Sequence, residues 1–66
     1  MRGEMLMNRL WYEELTPDEL ADSLELTPEA LFLKIFEKSD FSEEEIRKMV
    51  MLLGLTEDET ARIFYG

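Results

Sequence analysis

The chain has 66 residues, with 16 acidic against 7 basic side chains for a formal net charge of −9, and it contains no histidine and no cysteine. The lack of both residue types excludes a disulfide framework, the usual zinc sites and thiol or imidazole catalysis. No apolar run or leader pattern predicts a membrane span or a signal peptide. Because 45% of the residues are hydrophobic, we expect a folded acidic domain in a reducing cytosol rather than a disordered tail.

The first predicted element is a helix over residues 5–14, where Leu6, Leu10 and Trp11 recur at approximately helical spacing. A domain this small needs its large side chains inside to build a sufficient core. We therefore expect Trp11 and Tyr12 in the core, with an interface role for Trp11 as the alternative.

Four further helices are marked by their first residues. Thr16, Ser42 and Thr56 are each followed three residues later by a glutamate, which is the spacing of a reciprocal capping box. Thr27 precedes proline as Thr16 does, but it lacks the reciprocal glutamate. Gly54 suits the left-handed conformation that ends a helix. The predicted helices cover residues 17–24, 28–36, 43–53 and 57–64.

Together these elements predict an all-α chain that forms one compact five-helix domain over residues 1–66. No alternating β-branched run competes with this prediction, because the chain holds a single valine. The residues of the last four helices that we expect to face the core are Leu20, Ala21, Leu24, Leu31, Ile35, Ile46, Val50, Leu53, Ile63 and Phe64. The scattered methionines are expected to fill gaps between the helices.

Two short helices joined by a tight turn lie within residues 15–35, LTPDELADSLELTPEALFLKI, and look like a helix-turn-helix unit. The runs KSDFS at 38–42 and LGLT at 53–56 and the ending IFY at 63–65 extend the likeness. Over about residues 6–65, the chain resembles the small phage-type members of the lambda-repressor-like (Cro/repressor) family. The resemblance implies that family's compact fold and a phage or mobile-element protein in a bacterial cytoplasm.

The chain departs from that family at positions that contact DNA. Glu25 stands in the turn where relatives carry glycine, so the resemblance implies a positive φ at a cost on the order of 1 kcal/mol. Pro17 replaces the glutamine that opens the second helix in relatives. On and after the third helix, the positions that read the groove in relatives hold Pro28, Glu29, Phe32, Leu33, Phe36 and Glu37.

These replacements do not supply the paired donors and acceptors that read base edges. The cations that remain nearby are Lys34, Lys38, Arg47 and Lys48. So few phosphate contacts make a weak footprint on a chain with a net charge of −9. We therefore interpret the DNA-reading function as lost and do not expect nucleic acid as a partner. The alternative hypothesis is a Cro-like DNA-binding transcriptional regulator with an atypical recognition helix.

An apolar protein-binding surface is predicted in its place. Leu31 and Ile35 are expected to serve the core, so that Phe32, Leu33 and Phe36 face solvent if the third helix lies as in the family. Covering these three side chains would stabilise a complex by roughly 8–14 kcal/mol before the costs of binding. The alternative is that a rotated third helix buries both phenylalanines.

The predicted protein-binding residues are Phe32, Leu33, Phe36, Pro28, Glu29 and Glu37. Their acidic rim, with Asp40, favours a basic DNA-binding or nucleic-acid-processing protein as partner, although two copies could pair through the third helix. The predicted function is a small acidic regulator, such as an antirepressor or repressor modulator. No enzymatic activity is expected, because so small a domain rarely makes the cleft that a pair of catalytic carboxylates needs. No cofactor or metal is expected either, since the acidic runs at 43–45 and 57–59 have the pattern of capping residues and lack that of a calcium loop.

Overall fold

A computed structural model describes residues 1–37 and 40–66 of the chain. Its elements in chain order are α1 at Gly3–Tyr12, α2 at Pro17–Ser23, α3 at Pro28–Phe36, α4 at Glu43–Leu53, α5 at Glu57–Thr60 and a π-helical turn at Ala61–Tyr65. No β-strand occurs within the described residues, which confirms the all-α prediction. Lys38 and Ser39, which belong to the run that carries the family resemblance, lie outside the described residues.

Four helices begin at the side-chain caps that the sequence predicted. The hydroxyls of Thr16, Ser42 and Thr56 each accept a hydrogen bond from the backbone N–H three residues later, and the glutamate at that position accepts from the cap's own N–H. Thr27 caps α3 with its hydroxyl alone, which accepts from the Ala30 N–H at 3.1 Å. Since such a cap contributes typically about 1 kcal/mol, these helix starts are determined by local sequence.

Three helices end in one repeated backbone motif. Glu14, Glu25 and Gly54 follow α1, α2 and α4 in the left-handed conformation, with φ values of 59°, 60° and 63°. A leucine comes next each time, and its N–H donates to the carbonyl five residues back at 2.8 to 3.0 Å. A threonine cap follows at once, so a junction of left-handed residue, leucine and threonine occurs three times. The left-handed conformation was expected at Glu25 and Gly54 and is observed there, whereas Glu14 was not anticipated.

The last helix, expected over 57–64, ends at Thr60 and continues as the π-helical turn. The first helix also departs from its expected bounds of 5–14. It ends at Tyr12 because Glu14 turns the backbone and the Leu15 N–H bonds back to the Leu10 carbonyl at 2.9 Å. It begins at Gly3, where α1 passes very close to α3. A Cβ atom at Gly3 would lie 2.9 Å from Cγ2 of Ile35, so a larger residue there would require the Ile35 side chain or one of the two helices to shift.

The core collects apolar side chains from α1 to α4, from the junctions and from the π-helical turn. The buried residues are Leu6, Leu10, Leu20, Ala21, Leu24, Leu31, Ile35, Phe41, Met49, Leu53, Leu55, Ile63 and Phe64. Ile46 and Val50, which were expected to face the core, do pack against it, but they are only half-buried. Met49 takes the inward position on α4, one helical turn before Leu53, so the buried face of this helix is rotated from the predicted one.

The C-terminal residues pack back onto the beginning of the chain. The N–H of Arg2 donates to the carbonyl of Ile63 at 2.7 Å, and α1 contacts the π-helical turn. Phe64 meets Phe41 edge to face with ring centroids 6.0 Å apart, the arrangement that aromatic pairs favour. These contacts join the two ends of the chain on the same side of the core.

Candidate protein-binding surface

The third helix divides its side chains between the core and solvent. Leu31 and Ile35 are buried, whereas Phe32, Leu33 and Phe36 are 38%, 57% and 64% exposed. A rotation that would bury both phenylalanines is therefore excluded. Apolar side chains that face solvent together form the kind of patch that marks interaction sites.

The two phenylalanine rings stack on each other along the outer side of α3. The centroids of Phe32 and Phe36 are 5.8 Å apart and the ring planes differ by 13°. A shallow groove around the rings is lined by Glu29, Phe32, Leu33, Phe36 and Glu37, which we call the α3 face. Five of the six predicted residues are thus brought together. The sixth, Pro28, is exposed at the first position of α3 and lies outside the groove lining.

The apolar area of the α3 face is smaller than the sequence suggested. The exposed fractions of Phe32 and Phe36 together equal about one whole phenylalanine side chain, or roughly 200 Å². With about half of Leu33 added, covering the face would stabilise a complex by roughly 5–8 kcal/mol before the costs of binding. The earlier figure of roughly 8–14 kcal/mol assumed three fully exposed side chains, but the domain already covers most of Phe32.

Acidic side chains lie at both ends of the α3 face. Glu29 is exposed in the first turn of α3, and Glu37 is exposed immediately after the helix. Among the described residues, Glu29 has no ion-pair partner. Asp40 was expected on the same rim, but it lines a different hollow beside Phe41. The rim therefore consists of one glutamate at each end of the phenylalanine stack, which favours a positively charged partner.

The nearby cations are already engaged by acidic side chains. The ion pairs are Lys34 with Glu45 at 3.5 Å, Arg47 with Glu43 at 3.6 Å and Lys48 with Glu25 at 3.6 Å. Lys34 also donates to the Asp40 carbonyl at 3.3 Å. The pairs of Arg47 and Lys48 are exposed and hold these two cations only weakly, whereas Lys34 is held by both the Glu45 carboxylate and the Asp40 carbonyl. Lys38, the fourth candidate, lies outside the described residues.

A second hollow adjoins the α3 face and was not anticipated from the sequence. Phe36 lines it together with Ile35 of the same helix and with Met1 and Met7 of the N-terminal region. The thioether side chain of methionine is unbranched and adapts readily to differently shaped partners. The close passage of α1 over α3 at Gly3 brings these methionines beside Phe36, and no local sequence pattern encodes that juxtaposition.

The prediction that Trp11 and Tyr12 lie in the core is wrong, because they are 87% and 76% exposed. Leu6 and Leu10, one turn apart, define the buried face of α1. Trp11 lies about 100° around the helix from Leu10 and so falls outside that face. The guanidinium carbon of Arg9 lies 5.6 Å from the centroid of the Tyr12 ring, which places a cation against one of the two aromatic side chains.

Arg9 is a second residue whose role the sequence did not reveal. Its guanidinium donates to the Leu53 carbonyl at 3.1 Å and to the Glu59 carboxylate, and it also forms an ion pair with Glu13 at 3.1 Å. The backbone N–H of Thr56, which donates to the Glu59 carboxylate, holds the pKa of Glu59 below its ordinary value, and Arg9 adds to this lowering. Arg9 thus joins α1 to the end of α4 and to α5.

Comparison of the chain with protein-family models, with curated proteins and with solved structures found no match. The likeness to the lambda-repressor-like family therefore depends on the sequence motifs alone. In residues 1–37 and 40–66, no helix has the length and apolar character needed to cross a membrane. The same residues contain no group of three or more acidic side chains arranged to hold a metal ion.

Proposed function

We propose that this chain is a small acidic regulator that binds a basic protein through the α3 face. The observation that carries the proposal is the exposed pair of Leu33 and Phe36, with the partly covered Phe32 ring stacked on Phe36 and a glutamate at each end. A compact apolar centre with a polar rim is the usual anatomy of a protein interface.

The proposal includes a helix-turn-helix arrangement of α2 and α3. In support, the two helices pack against each other, and Ala21 is buried on α2, where a small side chain allows close approach. The turn between them contains Glu25 in the left-handed conformation that the family resemblance requires. On this interpretation, the helix that would read DNA carries the protein-binding face instead.

A basic partner fits the charge of this chain better than a second copy does. Two copies with a net charge of −9 each would bring Glu29 and Glu37 close to like charges, which is unfavourable. A DNA-binding or nucleic-acid-processing protein presents the opposite charge on the surface that meets phosphate. By covering such a surface, the chain would act as an antirepressor or repressor modulator, in the bacterial cytoplasm that the family resemblance implies.

The proposal is tested with a double variant of the two most exposed apolar residues of the α3 face, Leu33→Ser with Phe36→Ser. Phe32 is left in place because the domain covers most of it. We expect the variant to keep its helical circular dichroism and to lose its partner in capture from a bacterial lysate. Met51→Ser removes a similarly exposed apolar side chain from α4 and serves as the matched control, which should keep the partner.

Three outcomes would overturn the proposal. Unfolding of the double variant would show that the α3 face serves the core, and retention of the partner would place the interface elsewhere. Fluorescence anisotropy with mixed-sequence duplex DNA at low salt tests the DNA-binding alternative directly. Micromolar binding that falls steeply as salt is added would favour the Cro-like regulator, because counterion release produces that dependence.

A further inference from the structure

A second exposed aromatic surface lies at the junction between α1 and α2, and the α3 face does not include it. Trp11 and Tyr12 line a shallow hollow together with three residues of the junction, Glu14, Leu15 and Thr16. We call these five residues the Trp11 patch. It shares no lining residue with the α3 face, so the two surfaces are distinct sites.

The backbone beneath the Trp11 patch is firmly held. The Leu15 N–H donates to the Leu10 carbonyl at 2.9 Å, and the Thr16 hydroxyl caps α2. Leu15 is half-buried and packs against the core, so that only part of it contributes to the surface. Tyr12 lies against the guanidinium of Arg9, which itself bonds to the Leu53 carbonyl. The patch therefore combines a fixed backbone with two exposed aromatic rings, of which Trp11 is the more exposed and Tyr12 lies against Arg9.

The carboxylate beside Trp11 favours a positively charged occupant. Glu14 is exposed and has no ion-pair partner among the described residues, although it lines the same hollow as Trp11. An indole face is the best aromatic acceptor for a cation, and a carboxylate beside it can bond a guanidinium through two N–H groups. Arginine can make both contacts, because its planar guanidinium stacks on aromatic rings and donates two parallel hydrogen bonds to a carboxylate.

We propose that the Trp11 patch is a second docking site, which binds an arginine-containing segment of a protein partner. The guanidinium stacks on the Trp11 ring and pairs with Glu14, while Leu15 and Tyr12 contact an apolar neighbour of that arginine. A second copy of this chain is a poor occupant because each copy has a net charge of −9. With the α3 face, this site makes the chain bivalent toward basic protein surfaces.

Trp11 is the only tryptophan in the chain, so its fluorescence reports directly on this patch. The probe is a ten-residue synthetic peptide with three arginines spaced by leucine and glycine, and its comparison peptide replaces each arginine by neutral citrulline. We expect a saturable blue shift of Trp11 emission with the arginine peptide and none with the citrulline peptide. Glu14→Gln should weaken binding about threefold, in the range of an exposed ion pair.

Matched variants separate this site from bulk charge and from the α3 face. Glu44→Gln makes the same charge change on α4, outside the patch, and should change the affinity less than Glu14→Gln does. The double variant Leu33→Ser with Phe36→Ser should leave the emission shift intact, even if it loses the partner of the α3 face. Trp11→Leu removes the reporter, so its expected loss of affinity is measured by anisotropy of a dye-labelled arginine peptide.

Several results would overturn the inference. These are an unchanged emission spectrum up to millimolar peptide, an equal response to arginine and citrulline peptides, and equal weakening by Glu14→Gln and Glu44→Gln. Full affinity in Trp11→Leu would also exclude the patch. A blue shift produced by phosphatidylcholine vesicles without peptide would assign the exposed aromatic residues to a lipid surface instead of a protein.

Discussion

At the scale of single residues, two glutamates occupy a backbone conformation for which glycine is better suited. Glu14 and Glu25 have φ values of 59° and 60°, nearly the same as the 63° of Gly54 in the third junction. A Cβ at Gly54 would meet no atom within 4 Å, so backbone conformation, and not space, distinguishes glycine from other residues there. Each glutamate therefore lowers the free energy of unfolding by an amount on the order of 1 kcal/mol.

Replacing Glu25 by glycine should raise the free energy of unfolding by about 0.5–1 kcal/mol, because it relieves the left-handed strain. The exposed ion pair of Glu25 with Lys48, at 3.6 Å, is too weak to reverse this gain. Gly54→Ala introduces the same strain and should lower the stability by about 1 kcal/mol. Urea denaturation measures both changes. Destabilisation by Glu25→Gly would contradict the argument and assign the side chain a larger role.

The residue scale also shows why part of the site could be predicted. The spacing of Leu31 and Ile35 fixes the inner side of α3, and with it the exposure of Phe32 and Phe36. The same argument applied to Leu6 and Leu10 would have placed Trp11 on the surface, but the size of the indole suggested a core position. Periodicity proved the better guide than side-chain volume.

At the scale of elements, residues of the N-terminal region hold the last helix and the π-helical turn against the domain. The fifth helix is a single turn, Glu57–Thr60, too short to be stable alone. Arg9 reaches across to the Glu59 carboxylate and the Leu53 carbonyl, while the Arg2 N–H bonds to the Ile63 carbonyl. These contacts between helices dock α5 and the π-helical turn onto the domain.

The docking of α5 should depend on pH through Glu59. Its pKa is lowered in the folded state, so the stabilisation is complete above the ordinary glutamate pKa and is lost as the pH falls through the folded-state value. We expect the free energy of unfolding to fall less steeply in acid for Glu59→Gln than for the unaltered chain. Thermal denaturation followed from pH 7 to pH 3 measures the difference.

Glu57→Gln is the matched control for this pH dependence, because Glu57 lies in the same first turn of α5 but does not bond to the Thr56 N–H. It should keep the steep acid dependence of the unaltered chain. Identical acid profiles for the chain and Glu59→Gln would show that Glu59 has no part in the effect.

The helix starts were predictable, whereas the docking of the last helix was not. A cap involves residues three apart in sequence, so Thr16, Ser42 and Thr56 can be recognised directly. Arg9, by contrast, finds its partners 44 and 50 residues further along the chain. No local sequence pattern predicts such a contact, and none predicts that the last helix continues into a π-helical turn.

At the scale of the whole molecule, the dominant feature is unbalanced negative charge. Six of the acidic side chains lie in the first turns of α4 and α5, where the helix dipole and the capping boxes stabilise their negative charge. The ion pairs of Arg47 and Arg62 are exposed and contribute little. The net charge of −9 therefore opposes the compact state by self-repulsion.

Adding salt should consequently stabilise this protein. Raising KCl from 10 to 200 mM shortens the Debye length from roughly 30 Å to less than 10 Å, so repulsion across the molecule is screened. We expect the Tm to rise by several degrees, since about 1 kcal/mol corresponds to roughly 4–8 °C in a domain of this size. The charge-reversal variant Glu44→Lys should respond less to salt. A Tm that falls with salt would show that the ion pairs outweigh the repulsion.

The junction of left-handed residue, leucine and threonine, which occurs three times, also affects the folding rate. In each junction the leucine N–H donates to the carbonyl five residues back, and the threonine hydroxyl accepts from the N–H three residues ahead. Each junction can therefore form before distant segments of the chain come together. Helical chains dominated by such short-range contacts reach the native state in roughly microseconds to milliseconds. The slower folding events should be the long-range ones, in which Arg9 and Arg2 form their hydrogen bonds with the C-terminal part of the chain after the junctions have formed.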